Sequence, residues 1–329
     1  YSVDLRGKLE AVLCEAFAGT ISAHYTSLGD APLARIHVIV KAKRGKIPAV
    51  DDAELEERLV RAARSFADDL RERLVDRYGE ERGLALFARV GSAFPSGYCE
   101  RFDADIAVAD IAHVENAASR LAFDLYSAAS PSSLRLKIFS AGEPLALSDM
   151  VPVLENLGFK VLDEQPFALR PEGASAPVWL HDLGLSASAP LDLATRKSAV
   201  EEALAAVWRG DAESDGLNRL VTAAGLSWRE TTVVRAYSRY LRQIQAPFSL
   251  AYMEEAFLHN PSFARLLCDL FEARFDPDRG ELRDKRESEL AAKFEADLDR
   301  VSSLDEDRIL RRFLNVVRAS LRTNAYQTG

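Results

Sequence analysis

Apolar residues recur along the chain with two periods, about 3.6 and 2, and the switches between them mark its elements. Leu5, Leu9, Val12 and Leu13 keep helical spacing, and a β-rich run over 20–28 follows. Gly29, Asp30 and Pro32 then supply a turn. Over 35–42, Ile36, Val38 and Val40 alternate with Arg35, His37 and Lys41, the pattern of a strand with one buried face, which Gly45 and Pro48 end. After Asp51 or Asp52 as N-cap, Leu55, Leu59, Ala62, Phe66, Leu70 and Leu74 share one stripe. That stripe predicts one long helix of about 40 Å, a brace between units. Over 79–114, Gly91, Pro95 and Gly97 break two short helical patterns.

A second set of elements starts near Ser119. Leu121, Phe123 and Leu125 alternate as a strand, 128–133 turns, and Leu134, Leu136 and Ile138 make the next strand. The loop 140–144 leads into a helix carrying Met150, Val153, Leu154 and Leu157, with Ser148 or Asp149 as expected N-cap and Pro152 in the first turn, where a missing N–H costs least. Gly158 stops this helix, and strands over 159–169 and 178–185 precede a helix from about Thr195 to Trp208. From Asp215 onward only helical spacing is found, over 227–245, 249–258, 261–275, 284–301 and 304–321. Ser227 with Glu230, and Ser303 with Glu306, are spaced for capping boxes. No solenoid-type repeat and no low-complexity tract interrupts the pattern.

The expected division is therefore an α/β unit over 1–115, a second over 116–210 and a helical domain over 211–329, an α+β chain overall. Its 329 residues, 48% hydrophobic and 28% charged, suffice for sizeable cores. Starting at Tyr1 without an initiator Met, it is expected to be part of something longer. No run approaches the roughly 20 apolar residues needed to cross a bilayer. A net charge of −9 disfavours phosphate backbones and anionic lipids, so neither nucleic acid nor membrane is an expected partner. Cys14, Cys99 and Cys268, odd in number and far apart, suit reduced thiols in a cytoplasm.

Candidate chemistry is sparse. There is no GxGxxG, Walker, HExxH or GxSxG pattern, so no catalytic, cofactor or metal site is expected within the chain. If the first turn centres on Asp30 and Ala31, His24 and His37 sit opposite each other, but a metal site needs a third ligand and two solvent-facing histidines are the expectation. Arg235, Arg239 and Arg242 fall on one helix face, with Tyr237 and Tyr240 beside it. A solvated face, or one paired with acidic helices such as 287–299, is expected there. Arg308, Arg311, Arg312, Arg318 and Arg322 flank an apolar stripe of Ile309, Leu310, Phe313, Leu314, Val317 and Leu321, which should dock on neighbouring helices.

Four stretches carry a family likeness: AFPSGYCERFDADIAVAD from Ala93, LKIFSAGEPLALSDMVPVLENLGFKVLDEQPFAL from Leu136, GLSWRETTVVRAYSRYLRQIQAPFSLAYMEEAFLHN from Gly225 and NVVRASLRTNAYQ from Asn315. By these the chain resembles the large bacterial NAD-specific glutamate dehydrogenase family, in the region upstream of the catalytic domain. The resemblance implies ACT-like α/β units followed by an all-helical region, and a parent enzyme that uses NAD to convert L-glutamate to 2-oxoglutarate and ammonium. It also implies that the catalytic residues lie outside this chain, that the remaining domains of the parent are partners, and that the protein is a homo-oligomer. Gly142, Glu143, Pro144, Ser148 and Asp149 resemble the loop where ACT domains bind a small amino-acid effector. Arg322, Thr323 and Asn324 mark the junction to the catalytic domain. The alternative reading is a free-standing amino-acid-sensing or protein-interaction module.

Overall fold

The computed structural model describes residues 3–28, 34–42, 48–116, 121–128, 134–278 and 283–327. Two compact units emerge, Tyr1–Ser92 with Tyr98–Ala109, and Ala93–Gly97 with Asp110–Gly329. The expected first turn at Gly29, Asp30 and Pro32, its successor at Gly45, and most of the turn at 128–133 lie outside the described residues.

In the first unit, helix α1 (Val3–Ala16) leads into an antiparallel pair, β1 (Gly19–Leu28) and β2 (Ala34–Ala42), and then to α2 (Asp52–Ala63). Asp51 caps α2, accepting from the N–H groups of Ala53 and Glu54 at 2.8 and 3.3 Å. The single long helix expected from the apolar stripe is two, because the chain turns extended at Arg64 and α3 (Phe66–Tyr78) starts afresh. Ser65 and Asp68 form a reciprocal capping box, which satisfies N–H groups that a continuous helix would have bonded internally. The region that read as two broken helical patterns holds three helices, α4 (Glu80–Val90), α5 (Ser96–Arg101) and α6 (Ala104–Asn116). Buried Leu70, Leu74, Tyr98 and Ala107 are among the residues that close this part.

The second unit opens with β3 (Ala122–Ser127), β4 (Leu134–Ala141), α7 (Leu147–Asn156), β5 (Phe159–Leu169), β6 (Val178–Ala187) and α8 (Leu193–Arg209). The strands form one antiparallel sheet in the order β3-β4-β6-β5. Period-2 alternation sends Phe123, Leu125, Leu136, Ile138, Leu183 and Leu185 to one face, where Met150 and Leu154 of α7 and Val200, Ala203 and Leu204 of α8 complete a core. Two details of α7 differ from expectation. Its N-cap is Ala146 with no side-chain cap, and Pro152 sits inside the helix beyond its first turn. Leu157 then closes the helix by backbone bonding, and Gly158 takes φ +87° to send the chain into β5.

A 3-10 turn (Gly216–Asn218) and helices α9 (Arg219–Ala223), α10 (Trp228–Gln243), α11 (Leu250–His259), α12 (Pro261–Phe275), α13 (Arg283–Leu298) and α14 (Leu304–Ala319) complete the chain, with no strand after β6 among the described residues. Their apolar stripes meet in one core in which Phe257 and Phe313 pack edge to face at 4.7 Å and Phe263 and Phe294 at 4.8 Å. Such pairs add about 0.5–1.5 kcal/mol beyond the area they bury. Ser227 and Glu230 form the expected capping box. Ser303 caps α14 without the reciprocal bond, because the Glu306 carboxylate is taken by His259 and Asn260 at 2.8 Å each. Leu321, expected on the buried stripe, is 88% exposed, since α14 ends at Ala319 and the extended Ser320 rotates the chain off the helical face.

Candidate functional site

The loop between β4 and α7 places Gly142, Glu143, Pro144, Ser148 and Asp149 at one end of the four-stranded sheet. Gly142 adopts φ +87°, a conformation that a side chain strains, and nothing lies within 4 Å of where its Cβ would stand. The loop is strapped to the sheet: Gly142 N–H donates to the Pro177 carbonyl at 2.9 Å, and Trp179 Nε1–H donates to the Gly142 carbonyl at 3.0 Å. Leu145 N–H donates to His181 Nε2 at 3.0 Å, and His181 Nδ1 lies 2.7 Å from Glu164. Glu143, Pro144, Ser148 and Asp149 are exposed, and the first turn of α7 carries no side-chain cap. Uncapped helical N–H groups suit a carboxylate.

On the sheet face opposite the apolar core lies a layer of buried charge. Arg135 Nε is 3.0 Å from both carboxylate oxygens of Asp182, and its Nη2 donates to Asp163 at 2.9 Å. Tyr126 donates its hydroxyl to Asp182 at 2.9 Å. Lys137 meets Asp110 of α6 at 2.6 Å, both side chains almost fully enclosed. Burial acts to lower the pKa of Arg135, yet its hydrogen bonds to Asp182 and Asp163 and their charges hold it raised. Only opposite charge arriving from β6, β5 and α6 makes this layer tolerable. Its one trace in the sequence is Asp182 inside the apolar run WLHDLGL.

His24 and His37 are not opposite each other. A β-bulge between Ile21 and Ala23 advances the register by one residue, pairing His24 with Val38 and Tyr25 with His37. A shift of one residue puts the two rings on opposite faces. His24 approaches Arg6 and Glu10, and His37 packs edge to face on Tyr25.

Of the arginine row of α10, Arg239 and Arg242 are exposed as a solvated face requires and Arg235 is not, and the acidic partners come from the segment before α9 rather than from α13. Arg235 is buried, donating to Asp215 at 2.6 and 2.9 Å and to Asn218 at 2.6 Å. Arg239 pairs with Glu213, and Arg242 donates to the carbonyls of Ala246 and Phe248 at 3.4 and 3.1 Å. Beside them, burial and then the charge of Asp215 push the Glu254 carboxyl pKa up.

The other face of α10, with α12, α14 and the tail after α14, encloses a groove of about 1070 Å³. Trp228, Tyr237 and Tyr240 of α10, Phe271 of α12, Val316 of α14 and Tyr326 of the tail form its walls. Arg322, Thr323 and Asn324 all line it. The tail is held there by Ser320, whose carbonyl accepts from Arg274 at 3.1 and 3.0 Å and whose hydroxyl accepts from Tyr237 at 3.1 Å, and by Tyr326 stacked on Phe271. Thr323 Oγ1 accepts from Ala325 N–H at 3.1 Å and bends the backbone locally. Arg322 is exposed. Sequence reasoning did not single out Arg274 or connect Tyr237 with the tail, because both reach Ser320 across a separation that only folding closes.

An antiparallel four-stranded sheet under two helices, followed by a helical domain, defines a chain of ACT-domain and helical modules. The family models for glutamate dehydrogenase match in the same order: ACT2 domain over 1–67, helical motif 2 over 73–117, ACT3 domain over 120–198 and helical motif 3 over 212–277. The model for the bacterial NAD-glutamate dehydrogenase catalytic domain matches 293–329. Among curated proteins, the NAD-specific glutamate dehydrogenase of Halomonas elongata is 38% identical over 334 residues, covering 99% of this chain and 20% of that protein. Those of Pseudomonas aeruginosa and Mycobacterium tuberculosis are 37% and 32% identical, covering 99% and 100% of this chain and 21% of each relative. The chain belongs to the NAD-specific glutamate dehydrogenase family, and it spans about a fifth of the length of the curated relatives it matches.

Proposed function

We propose that the chain is a non-catalytic regulatory and scaffolding region of a cytoplasmic, homo-oligomeric NAD-dependent glutamate dehydrogenase. The parent enzyme would convert L-glutamate, NAD and water to 2-oxoglutarate, NADH and ammonium. The observation that carries this reading is the apolar groove at the junction. Its α10 and α12 walls belong to the helical motif 3 match, and its α14 and tail walls to the catalytic-domain match. The two matched segments are thus packed against each other, so a shift of the helical domain is felt at Arg322, Thr323 and Asn324. NAD is assigned to no residue here.

The division into 1–115, 116–210 and 211–329 is part of this proposal; the gaps between model matches at 117–120 and 198–212 fall near its two boundaries, and the catalytic-domain match over 293–329 lies inside its third segment. So is amino-acid binding at Gly142, Glu143, Pro144, Ser148 and Asp149, supported by the uncapped start of α7. An effector acts at a distance only through different affinities for two states of the enzyme. Arg322→Ala in the parent tests the junction: unchanged thermal stability with lowered turnover is expected. Unimpaired turnover removes the junction role. For the loop, turnover of the parent is measured with each of the twenty amino acids, before and after Gly142→Val. A response lost in the variant, with unstimulated turnover intact, supports the loop; an unchanged response in a folded variant removes it.

A further inference from the structure

One buried histidine is bonded on both sides of its ring. His181 of β6 stands opposite Ile138 of β4 and shares the sheet face that carries the apolar core. Its side chain is only 3% exposed. Leu145 N–H, 3.0 Å from Nε2, can only donate, so Nε2 offers a lone pair and the ring hydrogen sits on Nδ1. Nδ1–H then donates to the Glu164 carboxylate at 2.7 Å. The ring is a neutral imidazole, fixed in one tautomer by partners from two other parts of the chain.

The bonds that strap the loop after β4 to the sheet divide it in two. Pro177 and Trp179 hold Gly142 at its start, through backbone and indole groups that carry no charge to lose. His181 holds Leu145, two residues before α7 begins at Leu147 without a side-chain cap. This second hold differs in kind, since histidine is the side chain that ordinarily changes charge between pH 5 and 8. A second proton on the ring goes to Nε2, where it sets two donors face to face in place of one bond. Leu145 N–H must then leave the ring.

Charge around the ring is one-sided. Glu164 of β5 is the carboxylate in contact with it. Its neighbours on the same face of β4 and β6 are Ile138 and Leu183, and the Trp179 ring lies 6.4 Å away. Lys137 and Asp182 are on the opposite face, paired with Asp110 and Arg135. On α8, Glu201 is bonded to Leu125 of β3, two strands from β6. The loop and the first turn of α7 carry Glu143 and Asp149, both exposed to water. Glu164 thus draws a proton to the ring, and Leu145 N–H excludes one.

We infer that His181 is a proton-operated latch on the loop between β4 and α7. The neutral ring holds Leu145 against the sheet; protonation releases 143–146 while the ring stays paired with Glu164. The inference concerns the loop itself and does not require that the loop bind an amino acid. If it does bind one, its affinity becomes pH-dependent through this bond.

The full 329-residue chain, isotope-labelled in its histidine rings and followed by NMR from pH 8 to pH 5, tests the latch. His181→Gln identifies the signal among the five histidines. At pH 8 the Nε2 resonance is expected to be that of an unprotonated nitrogen, the reverse of the tautomer free histidine prefers. Hydrogen exchange at Leu145, corrected for the intrinsic rate at each pH, is expected to lose about tenfold or more of its protection as that ring titrates. Gly158 N–H, bonded to Glu155 at the far end of α7, should stay protected. Glu164→Gln keeps an acceptor but removes the charge, so the titration and the loss of protection should both move to lower pH. His181→Gln keeps an acceptor near the Nε2 position and takes no proton, so it should hold Leu145 across the range. The latch is overturned by a hydrogen on Nε2 at pH 8, by a ring still neutral at pH 5, or by Leu145 protection that does not follow the ring. An unmoved midpoint in E164Q, or the same loss of protection in H181Q, overturns it as well.

Discussion

Lys137 Nζ lies 2.6 Å from Asp110 Oδ2, and the two side chains are only 2% and 1% exposed. A strand and a helix thus neutralise each other's charge on the face of the sheet away from its apolar core, and the ring of Tyr126 covers the ammonium at 5.4 Å. Taking one charge away leaves the other buried. Lys137→Met is expected to cost about 3–5 kcal/mol in urea unfolding, and Lys137→Met with Asp110→Leu to recover most of that loss. A double variant no more stable than the single one would show that the helix is held by other contacts.

Glu201 of α8 accepts from Leu125 N–H at 2.7 Å, and burial raises the pKa of its carboxyl despite that bond and the charge of Lys197. A carboxyl whose pKa is higher folded than unfolded binds its proton more tightly in the folded state. Its contribution is complete below the unfolded value, about 4.5, and is lost as pH rises through the folded value. The stability difference between wild type and Glu201→Gln should therefore shift in favour of the variant as pH rises above that point. Parallel stability curves for the two proteins from pH 4 to 7, in thermal melts, would contradict the assignment.

Leu314 is buried in the helical core whereas Arg322 is exposed on the groove. Leu314→Ala should cost about 2–5 kcal/mol, and Arg322→Ala should leave the melting temperature of the chain unchanged. Equal destabilisation by both refutes the division between anchor and junction.

The capping box at the start of α10 satisfies two backbone groups, with Ser227 N–H donating to Glu230 at 2.7 Å and Glu230 N–H donating to Ser227 Oγ at 3.2 Å. Ser227→Ala should lose about 1 kcal/mol. Ser303→Ala, where the reciprocal bond is missing, should lose less, and the opposite ranking in chemical denaturation would contradict this account.

Most elements and the α+β class were legible because they rest on short-range rules, the periods of helix and strand and the residues that cap or break them. Pro261–Phe275 could be read residue for residue, from a proline at the first helical position and an unbroken apolar stripe. The stripe from Leu55 to Leu74 misled because a helix period continues in phase across Arg64 and Ser65, and nothing local weighs a fresh capping box against one more turn. The family motifs pointed to Arg322, Thr323 and Asn324, and the structure brought them to one groove with Tyr237 and Phe271.

By itself the sequence determined the order and type of the elements and the apolar face of each, since these depend on residues a few positions apart. Only the tertiary structure decided where charge is buried. Asp182, Asp110 and Asp215 reach Arg135, Lys137 and Arg235 from distant parts of the chain, and ion pairing over such separations leaves no periodic trace. The register of His24 and His37 was likewise decided by one bulge, because inserting a single residue into a period of 2 exchanges the faces of every residue beyond it.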